Sequence, residues 1–231
     1  MISIQKLHFK KIDSTNNYAK ENISKLSLPA LIISDEQTAG RGRRGNSFFS
    51  PKDTGLYMTL VFKEKSNSEM LTPAAAVAVC EALSDIGLKP GIKWVNDIFI
   101  NGKKVCGILT ERYLHNGEVY IILGIGINIT TSVFPDNLPY AGNIGVSCDK
   151  YELADTISDR ILGYANNTYE ALITEKYRNF LFIIGKEISY SKNNILFRAT
   201  VKDINEKCNL IVTLPDGDND ILSSGEISII I

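Results

Sequence analysis

The sequence predicts an α+β protein built on a largely antiparallel sheet and followed by a small all-β module. Three observations carry this. Asn101-Gly102 and Asn116-Gly117 each separate two β-prone apolar runs, and Asn-Gly is the strongest short-range hairpin signal. Apolar residues recur at helical spacing on either side of those hairpins, after Thr72 and across 152–182. Beyond residue 184, short β-like runs (EISY, ILFRATV, NLIVTL, EISIII) alternate with turn clusters (KNN, NEKCN, PDGDND, SSGE).

Taken in order, Ile4–Ile12 reads as a first strand, ended by Asp13-Ser14-Thr15-Asn16. All four residue types favour a helix N-cap. Tyr18, Ala19, Ile23 and Leu26 follow at roughly helical spacing, and Ala30–Ser34 is a short buried strand. It feeds a glycine-arginine loop, and Gly55–Lys63 is the next strand. Thr72-Pro73 signals a helix start, with a capping hydroxyl and a proline at the first helical position; the helix should stop at Gly87. Ile92–Ile100, Lys103–Leu114 and Glu118–Ile129 then read as three strands of a meander. Helices over 152–182 should break near Gly163 or Asn166-Asn167. A domain boundary near Ile184 separates 1–184 from 185–231.

The composition excludes several classes. The 231 residues are 44% hydrophobic and 22% charged, close to a soluble average, with a net charge of −1. No global pull toward nucleic acid or an anionic membrane follows from that balance. Cys80, Cys106, Cys148 and Cys208 lie at long, irregular spacings. They form neither a close zinc pair nor a dense disulfide framework, and fit free thiols in a reducing cytoplasm. The N-terminal stretch has no apolar run of a signal peptide, and no run is long enough to span a bilayer.

The loop Gly40-Arg41-Gly42-Arg43-Arg44-Gly45 matches G-x-G-x-x-G. A dinucleotide site also needs a following helix and a parallel crossover. Asn46–Gly55 reads as loop instead, and hairpins follow. Glycines still let backbone amides approach an anion, and Arg41, Arg43 and Arg44 offer forks suited to phosphate. A nucleic-acid patch and a plain solvated loop are the competing readings; the near-neutral chain weighs against the first. Three more clusters stand out: Lys93-Trp94-Val95-Asn96-Asp97, Lys103–Leu109, and Gly124-Ile125-Gly126-Ile127-Asn128. Strand alternation would put Lys93, Val95 and Asp97 on one face and Trp94 and Asn96 on the other. Glycines within an apolar strand mark the close approach of a ligand or backbone.

These pieces, together with Glu36-Gln37-Thr38 and the tail Gly225-Glu226-Ile227-Ser228, resemble the motifs of the biotin–protein ligases, in the same order and across almost the whole chain. The first motif begins at residue 13, so the resemblance is to the ligase-only class, without an N-terminal DNA-binding domain. It implies a catalytic domain of class II aminoacyl-tRNA synthetase type, with a mixed, largely antiparallel sheet, and a small C-terminal SH3-like β-barrel. The implied reaction is ATP-dependent activation of biotin to biotinyl-AMP, then transfer to a lysine of a biotin carboxyl carrier protein or domain of a biotin-dependent carboxylase. Lipoate and octanoate ligases or transferases, which share the fold, are the alternative within enzymes; a non-catalytic binding module is the alternative outside them.

By motif, the resemblance assigns Ser14, Thr15, Asn16, Gln37, Arg41, Gly42, Arg43, Lys104, Gly107 and Gly124 to biotin. It assigns Arg41, Arg43, Arg44, Phe48, Lys93, Trp94, Asn96, Gly126 and Asn128 to the nucleotide. Arg43, Lys104 and Asp97 are the expected catalytic groups, and Asp97 is the candidate for steering the acceptor lysine or assisting Mg²⁺. No DNA or membrane partner is expected, and by analogy the chain would form a homodimer through an edge of the central sheet. Four positions depart from the family pattern. Asn46 replaces an arginine, Phe48 a tryptophan, Val95 a proline and Ile230 an arginine.

Overall fold

The computed structural model describes residues 3–64, 68–166, 169–192, 195–223, 225 and 227–229. Its centre is a seven-stranded sheet in the order β1-β2-β3-β7-β6-β5-β4. The strands are β1 (Gln5–Phe9), β2 (Ala30–Ser34), β3 (Gly55–Lys63), β4 (Gly91–Lys93), β5 (Asp97–Ile100), β6 (Lys103–His115) and β7 (Glu118–Asn128). Only β1 and β2 run parallel; the other neighbours are antiparallel. Both Asn-Gly pairs form the expected turns. Asn101 and Gly102 take φ of 50° and 75°, and Asn116 and Gly117 take 51° and 79°, the left-handed pair of a type I′ hairpin.

Period-two alternation divides the sheet into two faces. On β7, Ile121, Leu123, Ile125 and Ile127 enter the main core. Tyr120 and Ile122 pack on the opposite side with Ala19 and Ile23 of α1 (Thr15–Glu21) and the turn after it. The main core lies under α2 (Leu71–Asp85), α3 (Lys150–Asn166) and α4 (Glu170–Phe180). Helix α2 is apolar nearly all round and correspondingly buried. It ends as the sequence predicts. Gly87 has φ +82°, its N–H donates to Ser84 O and that of Leu88 to Leu83 O, at 2.9 and 3.1 Å. This is a Schellman stop.

Three expectations need correcting. Strand β1 stops at Phe9, and Ile12 makes only an isolated bridge to Gln37. Thr72 does not cap α2. Met70 holds the cap position, and the Thr72 hydroxyl donates instead to Thr110, a strand residue 2.8 Å away. The run 92–100 is not one strand. It folds back at Trp94–Asn96, so β4 and β5 pair with each other and Lys93 faces Asp97 across the hairpin. The alternation argument for these side chains therefore fails. Of the two breaks expected over 152–182 the structure has the second: α3 runs through Gly163 and ends at Asn166, and α4 begins at Glu170, Asn167 itself lying outside the described residues.

After α4 a second, antiparallel sheet forms in the order β11-β10-β9-β8-β12: β8 (Glu187–Lys192), β9 (Ile195–Ile204), β10 (Leu210–Thr213), β11 (Asn219–Leu222) and β12 (Ile227–Ile229). Its buried side chains, among them Ile188, Val201 and Leu210, continue the main core. Asn193, Asn194, Ser224, Glu226 and Ile230, named above in turn clusters and the tail, lie outside the described residues.

Candidate active site

The α1 face of the sheet is apolar where α1 covers it. Further along β7 the same face reads Gly124, Gly126 and Asn128 instead of Tyr120 and Ile122. On β6 the matching face carries Gly107 and Leu109, paired with Gly126 and Gly124. Small residues on two adjacent strands leave a hollow. A cavity of about 300 Å³ sits there.

One end of the hollow is a neutral, fully engaged polar chain. Ser14 caps α1 by accepting the Asn17 N–H at 3.5 Å. The buried Thr59 hydroxyl lies 2.6 Å from Asn16 Oδ1 and 2.8 Å from Thr15 Oγ1. Both the N–H and the hydroxyl of Thr15 donate to Gln37 Oε1, at 2.9 and 3.1 Å. Gln37 Nε2 in turn donates to Ser50 Oγ, and Ser50 donates to Phe48 O. Asn16 lies directly on Gly124, where any Cβ would meet its amide.

The glycine-arginine loop arches over the hollow. Phe48 N–H donates to Gly40 O at 2.9 Å, Gly42 N–H to Asn46 O at 2.7 Å, and Arg41 bridges Ser47. Glycine is required at Gly40, since a Cβ would strike Phe48 O and Ser50. At the apex, Arg43 Nη1 donates to Asn96 Oδ1 at 2.9 Å and to Gly225 O at 3.4 Å. Asn96 is held from its other end too, its Nδ2 donating to Ile108 O at 2.8 Å. The Phe48 ring lies over Gly126 and Gly107, with its edge toward Tyr57 at 6.4 Å between centroids.

The other end is cationic. Lys104 Nζ stands 2.7 Å from Asp97 Oδ1, both partly exposed. Lys93 lies across the β4–β5 pair from that aspartate. Arg43, Lys93 and Lys104 line this end of the cavity with Asp97, an arrangement suited to an anion, and Arg41 lines the cavity nearer Asn16. Among the described residues no cluster of His, Cys, Asp or Glu could hold a resident metal ion.

All the residues picked out from sequence line this cavity except Arg44 and Asn128. Arg44 takes a left-handed φ of 54°, which turns it into a neighbouring groove with Thr72 and Lys207. Asn128 is buried beyond the end of the hollow, its Nδ2 donating to Gly142 O. Trp94 is 4% exposed; its indole N–H donates to Cys208 O at 2.9 Å, so it ties the cavity wall to the second sheet. That sheet reaches the cavity through Gly225, Ile227 and Ser228. Sequence reasoning missed Thr59, Lys20 and Glu111. Lys20 follows Asn16 by four on α1, and Glu111 follows Gly107 by four on β6, so both periodicities could have flagged them.

The cavity thus joins neutral amide and hydroxyl groups to converging cations within one site. The chain belongs to the biotin/lipoate A/B protein ligase family, whose model matches residues 8–128. It is 32% identical to the biotin–[acetyl-CoA-carboxylase] ligase of Paracoccus denitrificans over 163 residues, 64% of this chain and 68% of that one. It is 36% identical to the bifunctional ligase/repressor BirA of Bacillus spizizenii over 143 residues, 58% of this chain and 44% of that one. The chain thus spans under half the length of the bifunctional ligase/repressor. Among solved structures, the Aquifex aeolicus biotin protein ligase in complex with biotin and ATP superposes with a TM-score of 0.81 at 25% identity, covering 97% of this chain and 98% of that one.

Proposed function

We propose that the protein is a biotin–protein ligase, joining biotin through biotinyl-AMP to a lysine of a biotin carboxyl carrier protein or domain. The observation that carries this is the polarity of the cavity, with neutral hydrogen-bonding groups at one end, Arg43, Lys93 and Lys104 at the other, and Arg41 held beside the first by Glu111. The ureido group of biotin both donates and accepts, and the Thr15–Asn16–Gln37 end, closed by Ser14 and Gly124, offers both roles. The carboxylate would then point toward Lys104 and Arg43, past Gly42 and Gly107. ATP takes the other end, adenine on Phe48 and Gly126, with Asn96 and Trp94 behind and phosphates among Arg41, Arg43 and Lys93. The geometry favours dropping Arg44 and Asn128 from the nucleotide set. Mg²⁺ carried in by ATP needs only one or two carboxylates besides phosphate oxygens, and Asp97 supplies one.

In the first step a biotin carboxylate oxygen bonds to the α-phosphorus as the α–β bridging bond breaks and pyrophosphate leaves. Lys104 and Arg43 stabilise charge on the oxygens, preorganised by Asp97 and by Asn96. In the second step a neutral lysine amine attacks the acyl carbon and AMP leaves. Asp97, once its lysine has turned to the ligand, can take the amine proton. The arch keeps water from the mixed anhydride.

In the same reading the sheet over 1–184 is a class II synthetase-type catalytic domain and 185–231 an SH3-like barrel. The chain works in the cytoplasm, and homodimerises through an edge of its central sheet. Among the described residues no helix is long and apolar enough to cross a membrane. The test is to incubate the protein with ATP, Mg²⁺ and either biotin or lipoate and to look for acyl-AMP by mass spectrometry. Biotin-dependent adenylate is expected; lipoyl-AMP alone would move the protein to the lipoate branch, and no adenylate would remove the ligase reading.

A further inference from the structure

We propose that Glu111 is a positioning residue of this cavity, pinning the Arg41 end of the glycine-arginine arch and fixing how the Asn16 amide faces the pocket. Its consequence for substrate rests on the biotin reading; its geometry does not. Glu111 continues the face of β6 that carries Gly107 and Leu109, and pairs with Ile122 of β7 just past the glycine floor. Its side chain is 20% exposed. Three donors converge on it. Lys20 Nζ lies 2.7 Å from Oε1, while Asn16 Nδ2 and Arg41 Nη1 lie 3.0 and 3.1 Å from Oε2.

A carboxylate only accepts hydrogen bonds. Asn16 must therefore turn its NH₂ toward Glu111 and its Oδ1 back toward Thr59. The donor and acceptor pattern of the neutral end starts from that constraint and runs on through Thr59 and Thr15. An amide in place of the carboxylate would accept either orientation of Asn16, and the pattern would lose its definition. Burial pushes the Glu111 carboxyl up, but hydrogen bonds from Lys20 and Asn16 and the charges of Lys20 and Arg41 outweigh it and hold the group below its ordinary range.

The charge balance also suits a releasable pin. One carboxylate stands between two cations, so Arg41 can move to an anionic ligand while Lys20 stays and keeps Glu111 paired. Arg41 itself is 39% exposed in its side chain and also touches Asn17 Oδ1 at 3.4 Å. Loss of Glu111 would leave that weak contact as its remaining side-chain anchor among the described residues.

The test uses trypsin on the ligand-free protein, following cuts at Arg43 and Arg44, alongside the KM for biotin. Glu111→Gln should speed cutting about fivefold, as expected for losing one partly exposed ion pair, and raise the biotin KM about tenfold for the charged hydrogen bond. Lys20→Gln removes the other cation without touching the arch and should leave cutting unchanged. The double variant Glu111→Gln with Arg41→Gln should cut no faster than Arg41→Gln alone, because the two residues act as one unit. Unchanged cutting in Glu111→Gln, additive effects in the double variant, or equal acceleration by Lys20→Gln would each overturn the proposal. Cutting needs no substrate. A wild type that makes no biotinyl-AMP would therefore sink the biotin reading while leaving the pin to be judged by trypsin.

Discussion

Gly124 and Gly126 lie two residues apart on one face of β7, yet adding one methyl to each should damage different substrates. At Gly126 a Cβ would stand 2.7 Å from Phe48 Cζ and 2.8 Å from Cδ1. Carbon atoms rest at about 3.5–4.0 Å, so the ring must retreat by about 1 Å or swing out. Phe48 is only half-buried. Forfeiting about half of a phenylalanine's full burial, itself about 1.5–3 kcal/mol, costs about 1 kcal/mol. That is a rise of about fivefold in the KM for ATP. At Gly124 a Cβ would come within 3.0 Å of both Asn16 Cγ and Nδ2. Asn16 cannot swing, because Glu111 and Thr59 hold its two ends. Breaking that grip strands buried polar groups at about 1–3 kcal/mol, or about five- to 150-fold in the KM for biotin. The assay is pyrophosphate release with one substrate saturating and the other varied. Gly126→Ala should move the ATP constant and Gly124→Ala the biotin constant, by the larger factor. Equal effects on both substrates from either variant would refute the two-ended cavity.

Further predictions follow from the same geometry. Lys104→Ala should lower adenylate formation by about 10²–10³, the cost of one preorganised donor, while its partly exposed pair with Asp97 adds well under about 1 kcal/mol to stability; near-normal turnover would remove Lys104 from the chemistry. Trp94→Phe loses the indole bond to Cys208 O, about 1 kcal/mol, and should lower Tm by about 2–4 °C for a chain of this size; an unchanged Tm in calorimetry would mean the bond is not made. Because the Glu111 carboxyl is held below its ordinary value of 4.5, its stabilisation should be complete above that pH and fade as pH falls through the lower folded-state value. The Tm gap between wild type and Glu111→Gln, wide at pH 7, should close in acid; a gap independent of pH would contradict the ion pairs. Burial pushes the Cys80 and Cys106 thiols well up and that of Cys208 up to about 11, so half-buried Cys148 should react first with a thiol reagent in the native protein.

The hairpins were legible because Asn-Gly states its own backbone geometry, and the Gly87 stop for the same reason. The 92–100 stretch was not, since no glycine or proline between Ile92 and Ile100 announces the fold-back at Trp94–Asn96. Lys93 and Asp97 still share the cavity, though as partners across a hairpin rather than as neighbours along a strand. Arg44 looked equivalent to Arg43 in sequence, and only its left-handed backbone sends it elsewhere. Asn128 keeps the correct face but lies one pair beyond the hollow, where Gly142 engages it. The glycines of β7 pointed to the close approach of a ligand or backbone, whereas the groups that approach are side chains of the protein itself, Asn16 and Phe48. Glu111 and Thr59 escaped notice because each looks ordinary on its strand, and their roles arise from contacts across 95 and 43 residues with Asn16.

The central claim is that one cavity holds the acid at its Asn16 end and the nucleotide at its Phe48 end. A crystal structure of the protein with biotin and a non-hydrolysable ATP analogue tests this most directly. Density should show the biotin rings against Thr15, Asn16 and Gln37, the carboxylate near Lys104, and adenine on Phe48 above Gly126. Biotin rings at the Phe48 end, or a nucleotide bound outside this cavity, would contradict it.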